Sequence, residues 1–153
     1  MRKNGLNTDK KRGFEYIGVT VNFFCHDGKG KLLLHKRSKN TRDEHNAWDP
    51  GGGSMEFGES FEEAVRREVK EEYCAEILKL DFVAVNNVLR HHKGKKTHWV
   101  AIIFAAKVNP KKVKIGEPTK MDEIGWFDLK NLPTPRHSKL DEHLKLVLKA
   151  KVL

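Results

Sequence analysis

Apolar and β-branched residues of this chain gather in short runs divided by polar, glycine-containing stretches, and only two segments carry them at helical spacing. Tyr16 to Phe24 (YIGVTVNFF) and Lys31 to Lys36 (KLLLHK), joined across HDGKG, predict a β-hairpin. Arg37 to Ala47 is polar and reads as a loop, and WDPGGG interrupts regular structure ahead of a helix that starts at Ser60. Leu80 to Val88 and Thr97 to Val108 predict two more strands, with HHKGKK as the turn between them. Lys111 to Glu123 reads as a second polar loop, Ile124 to Leu129 as a short strand stopped by Leu132-Pro133, and Ser138 to Val152 as a closing helix. In that helix Leu140, Leu144, Val147 and Leu148 fall at i, i+4, i+7 and i+8. Strands outnumber helices and do not alternate strictly with them, which predicts an α+β domain with a mixed sheet and helices on its faces.

The helix after the glycines breaks the usual pattern. Ser60 and Glu63 form a Ser-x-x-Glu capping box, so its start is well defined. At about 100° per residue, Phe61, Ala64 and Val65 share one side, and Glu62, Glu63, Arg66, Lys70 and Tyr73 are expected on the solvated side. The same wheel puts Glu68 and Glu72 within about 20° of Phe61, with Glu71 flanking them, where a core pattern calls for leucine. Inward carboxylates have to be protonated, paired or bound to cations, because unpaired buried charge is very costly. Arg67 can pair with Glu63 or Glu71, but one guanidinium does not neutralise three acids. A divalent cation does, and clustered oxygen ligands suit Mg²⁺ together with substrate phosphate. Gly51-Gly52-Gly53 admits two readings, a tight turn into the helix or a close backbone approach that exposes carbonyls to a metal.

Composition narrows the class. A length of 153 residues fits one domain, and 38% hydrophobic against 33% charged residues is the balance of a folded chain. Residues 1–13 read as a flexible basic tail and 14–153 as the domain. Lys and Arg number 30 against 21 Asp and Glu, a net +9 that favours anionic partners such as nucleotides or nucleic acid. Two cysteines without CxxC spacing encode neither a disulfide framework nor a zinc site, and the expected location is cytoplasmic. No apolar run is long enough to span a membrane.

Gly53, five residues, Glu59, seven residues, then Arg67-Glu68-Val69-x-Glu71-Glu72 resembles the Nudix box of the Nudix hydrolases, including the MutT-like members. Trp48 and Pro50 before the box and IGWFDLKNLP near the end are also similar to the family. Two positions depart from it: Cys74 stands where the box has Gly, and Ala75 where it has a larger aliphatic residue. Asp49 is a milder departure, at a position where relatives often carry an apolar residue.

The resemblance implies an α/β/α sandwich and hydrolysis of a nucleoside diphosphate linked to another group, with Mg²⁺ or Mn²⁺. By position in the box, Glu68, Glu71 and Glu72 are implied metal ligands, joined by the Gly53 carbonyl. Arg67 is implied to orient the carboxylates and Glu59 to support them. Glu68 is the first choice for general base, with Glu117 and Glu123 in reserve. Arg37 resembles a nucleotide-contacting arginine of the MutT-like members, and Arg90 is a second candidate for the substrate. Trp99 and Phe104 read as core, Trp126 as core or a stacking face, and His91, His92 and His98 as surface residues. The competing reading is a Nudix-fold protein that binds nucleic acid or nucleotides with little catalysis, suggested by +9 and the KKR and KGKK runs. Three clustered carboxylates weigh against a pure binder of polyanions.

Overall fold

The computed structural model describes residues 11–153. The expected basic tail therefore lies outside the described residues except for its last three, which form a turn: Gly13 N–H donates to the Tyr16 carbonyl and its own carbonyl accepts from His98. The elements are β1 (Gly18–His26), β2 (Lys31–Arg37), β3 (Trp48–Asp49), β4 (Gly52–Ser54), α1 (Phe61–Tyr73), β5 (Ile77–His92), β6 (Lys95–Val108), a 3-10 turn (Pro110–Lys112), β7 (Met121–Asp128) and α2 (Leu140–Ala150).

Among the described residues, seven strands form one mixed sheet in the order β3-β2-β1-β6-β5, with β4 also against β1 and β7 against β2. The expected hairpin of β1 and β2 pairs only at its mouth, at His26 and Leu32, because β4 takes the rest of the edge of β1 that faces β2, while β6 runs parallel along the opposite edge. The two strands part, and Trp48 to Ser54 fills the opening: β3 pairs with β2, β4 pairs with β1, and Pro50-Gly51 bends between them. WDPGGG is thus two short strands and a bend rather than an unstructured break. That wedge brings the glycines to the centre of the sheet.

Both faces are covered, which is why β1 and β2 are apolar on successive residues. Val21, Phe23, Cys25 and Leu33 pack under α1 with Ala64, Val65, Val69 and Tyr73. Phe24, Leu32, Leu34 and Trp48 pack under α2 with Leu140, Leu144 and Val147. Trp99 and Phe104 lie on opposite faces, Phe104 in the α1-side core and Trp99 partly buried toward α2; Trp126 packs against the α1-side core.

The boundaries differ where hydrogen bonding extends beyond the apolar run. β5 and β6 pair to His92 and Lys95, so the turn is only Lys93-Gly94, and β7 begins at Met121 inside the expected loop. The wheel assignments change too. Phe61 is 46% exposed and Leu148 48% exposed, whereas Tyr73 is fully buried. The apolar stripe of α1 centres on Val65 and Val69, and Tyr73 extends it because its hydroxyl finds partners inside.

Cys74 holds the left-handed conformation at the end of α1, with φ 54 and ψ 24, and its N–H donates to the Lys70 carbonyl. Its side chain is exposed. Cys74→Gly is therefore expected to stabilise the protein by up to about 1 kcal/mol, since relief of the left-handed strain outweighs the entropy of glycine. Thermal unfolding tests it: the midpoint should rise by about 2 to 4 °C, and a fall would mean that the thiol contributes packing.

Candidate active site

The bend of the wedge and the inner edge of α1 enclose a cleft of roughly 530 Å³ lined by Gly52, Gly53, Arg67, Glu68, Glu71 and Glu72. Glu68 and Glu72 are 8% and 7% exposed. Glycine is required here by close approach: a Cβ on Gly53 would lie 2.1 Å from Glu68 Cδ, and one on Gly51, whose φ is 135°, would lie 2.8 Å from Glu72 Oε2. The Gly53 carbonyl already accepts from Thr20 Oγ1 at 2.8 Å.

Arg67 organises the acids. Its Nη1 donates to Glu68 Oε1 at 2.6 Å and to Glu71 Oε2 at 3.4 Å, and its Nη2 donates to Glu59 Oε2 at 3.0 Å and the Ser54 carbonyl at 3.2 Å. The hydrogen bond from Arg67 holds the Glu59 carboxyl down at about 2, aided by the Glu56 backbone.

Glu68 and Glu72 shift the other way. Burial raises Glu68, with Glu71 and Glu117 adding repulsion, and Arg67 only partly offsets this. Burial raises Glu72 well above the ordinary range, followed by the charges of Glu68, Asp49 and Glu117, with the backbone N–H of Gly52 acting the other way. Glu72 Oε2 is buried and has no hydrogen-bond partner. A buried oxygen without a donor, next to a second carboxylate and a backbone pressed against both, is a donor set that fits a hard divalent cation.

Glu117 reaches this cleft because its loop caps the helix: Lys114 and Gly116 donate their N–H groups to the Tyr73 and Glu72 carbonyls at 3.0 and 2.8 Å. Glu123 is an exposed residue of β7, opposite Lys36, and does not line the cleft.

A second cleft of roughly 210 Å³ adjoins the first across Gly52-Gly53 and lies toward α2. Arg37 borders both clefts and is held by Asp49 at 2.8 Å and Asp43 at 3.1 Å. Arg90 bonds Asp43 at 3.0 Å and also pairs with Glu44. Neither arginine is a bare cation. Asp43, Glu44 and His137 are the one group of three acid or histidine side chains among the described residues whose ligand atoms lie within 4.8 Å of one another. The two carboxylates already carry Arg37 and Arg90, and Ser138 donates to Glu44 at 2.7 Å, so the group reads as an ion-pair network that ties the β2–β3 loop to the start of α2. Arg42 lies over the Trp99 ring at 5.9 Å. His91, His92 and His98 join no such group among the described residues.

Sequence spacing misses His35 and Tyr73. The Tyr73 hydroxyl donates to the Pro50 carbonyl at 2.6 Å and lies 2.7 Å from His35 Nδ1, and His35 lines the first cleft. Periodicity offers no signal for either residue, because their partners are distant in the chain.

A two-sided mixed sheet, wedged open by a glycine bend over the acidic edge of a helix, is the arrangement of a Nudix domain. A family model described as NUDIX domain matches residues 17–148, and the chain belongs to this family. It is similar to a Nudix hydrolase of Deinococcus radiodurans, 40% identical over 73 residues, covering 47% of this chain and 42% of that protein. It is also similar to an ADP-ribose pyrophosphatase of Methanocaldococcus jannaschii, 34% identical over 103 residues, covering 67% of this chain and 57% of that one. The chain thus spans about half the length of these relatives. Among solved structures it resembles a MutT NUDIX hydrolase from Burkholderia pseudomallei, with TM-score 0.77, 28% identity and 87% and 99% of the two chains covered. A MutT protein from Methanosarcina mazei superposes with TM-score 0.68 at 25% identity, over 88% and 96%. Among the described residues no helix is long and apolar enough to cross a membrane.

Proposed function

We propose that this chain is a Mg²⁺- or Mn²⁺-dependent pyrophosphohydrolase that cleaves the diphosphate linkage of a nucleoside diphosphate derivative. The observation that carries this reading is the unpartnered, buried Oε2 of Glu72 beside Glu68 under the glycine bend. The ADP-ribose pyrophosphatase relative supports a nucleoside diphosphate joined to a second moiety as the substrate class.

Glu68, Glu71 and Glu72 would hold the metal, with the Gly53 carbonyl as an additional ligand. When bound, the cation would neutralise the diphosphate and make a water more acidic. The water oxygen forms a bond to one phosphorus, the bridging P–O bond breaks, and the bridging oxygen leaves with the electron pair as part of the second phosphate. Glu68 takes the water proton, with Glu117, which lines the same cleft, as the reserve. Arg67 fixes the Glu68 and Glu71 carboxylates and is itself anchored by Glu59. The nucleoside occupies the second cleft, where Arg37 and Arg90, braced by their acids, form the wall.

The test is a panel of nucleoside di- and triphosphates, ADP-ribose and dinucleotides incubated with Mg²⁺ or Mn²⁺, with products separated by chromatography. At least one compound should be split into two phosphate products, and excess chelator should abolish the reaction. Turnover undiminished by chelator, or none over the whole panel, would overturn the reading.

A further inference from the structure

The hydrogen bonds around His35 determine which of its ring nitrogens carries a proton. Tyr73 has one hydroxyl proton, and the Pro50 carbonyl, which only accepts, takes it at 2.6 Å. The 2.7 Å contact between Tyr73 Oη and His35 Nδ1 is then a bond in which Nδ1–H donates. The ring is neutral, since burial lowers its pKa more than the neighbouring Asp49 raises it. A neutral imidazole protonated on Nδ1 has a bare lone pair on Nε2.

His35 is 5% exposed and lines the same cleft as Glu68, Glu72 and Glu117. Its Nε2 bonds no side chain or backbone group among the described residues; the nearby cation Arg37 is directed to Asp43 and Asp49 instead. The cleft therefore sets a neutral imidazole acceptor beside several anionic ones. The hydrogen it can receive has to come from a molecule in the cleft.

We propose that His35 Nε2 accepts a hydrogen bond from the water that attacks phosphorus, and that Tyr73 is the positioning residue that fixes the required tautomer. This inference rests on the hydrolase reading above. A water whose lone pair must point at phosphorus is held in that orientation when both of its O–H bonds are taken by acceptors. Glu68 takes one and His35 the other; the proton itself leaves to Glu68, and His35 stays neutral. Tyr73 follows Glu72 on α1, and its hydroxyl also clasps the Pro50 carbonyl at the head of the glycine bend. The bond that sets the tautomer therefore sets the spacing of bend and helix as well.

The test separates the two nitrogens. Asn at position 35 reproduces the Nδ1–H donor to Tyr73 but removes the Nε2 acceptor; Gln places an amide where Nε2 was. His35→Asn should keep the melting temperature and the substrate KM while kcat falls by about 10- to 100-fold, the usual effect of removing a supporting hydrogen bond at a metal site. His35→Gln should recover part of that loss. Long-range proton–nitrogen NMR of the histidine-labelled wild type, without metal or substrate, should find His35 protonated on Nδ1 and bare on Nε2, and Tyr73→Phe should mix the tautomers. A proton on Nε2 in the wild type, a wild-type kcat in His35→Asn, or equal impairment of the Asn and Gln variants would each overturn the proposal. If the wild type turns over no diphosphate, the hydrolase reading fails and takes this one with it; an active wild type beside an unimpaired His35→Asn removes only this one.

Discussion

Glu68→Gln is expected to lower turnover by about 100-fold or more while leaving the protein folded and at least as stable as the wild type. The amide keeps the size of the side chain under Gly53, where no extra atom fits. It removes the charge that would hold the cation and take the proton. It also ends the 2.6 Å ion pair with Arg67, a loss that would ordinarily destabilise. The raised Glu68 pKa indicates the larger effect: burial disfavours the carboxylate more than Arg67 favours it. Arg67 keeps Glu59 as its main partner. The measurement is paired, with turnover at saturating Mg²⁺ set beside the melting temperature without metal. Near wild-type turnover in a well-folded variant would refute the role given to Glu68, and a large drop in melting temperature would mean that the Arg67 pair outweighs its desolvation.

The inward turn of Glu68 and Glu72 is legible in the sequence because a helical wheel puts them on the apolar side of α1, where both are buried, whereas Gly53, Glu59 and Arg67 are picked out only by the resemblance to the Nudix box. The capping box at Ser60 and Glu63 is legible from its local spacing. What periodicity does not report is a partner far along the chain. Tyr73 reads as a solvated residue on a wheel, yet its hydroxyl bonds Pro50 and His35, 23 and 38 residues away, and those bonds are what let a tyrosine be buried there. Arg37 and Arg90 look like bare cations waiting for phosphate. In the folded chain the RDEH segment supplies Asp43 and Glu44 to them, which only the path of the β2–β3 loop could reveal. The apparent hairpin of β1 and β2 is misread because nothing local in either strand says that β4 inserts on the edge of β1 that faces β2, or that β6 runs parallel along the other edge.

The second large effect is expected from Glu72→Gln, and it should depend on pH. Burial, then Glu68, Asp49 and Glu117, hold the Glu72 pKa above its ordinary value in the metal-free fold. Over the interval from the ordinary carboxylate pKa, about 4.3, up to the raised one, the folded protein retains a proton that the unfolded chain has released. Stability then falls as pH rises through that interval, because the unfolded state binds fewer protons. Glutamine does not ionise and pays no such penalty. Without metal, wild type and variant should therefore melt together near pH 4, and the variant should become the more stable at pH 8, by about 1 to 3 kcal/mol, the usual penalty for a buried polar group without a partner. Mg²⁺ should reverse the order at pH 8, since a ligand that binds only the folded state stabilises it by mass action, and the variant has lost a ligand atom for it. Melting temperatures at the two pH values, each with and without Mg²⁺, decide the matter. Parallel pH profiles for the two proteins would mean that Glu72 ionises normally, and equal stabilisation of both by Mg²⁺ would mean that its carboxylate does not hold the ion.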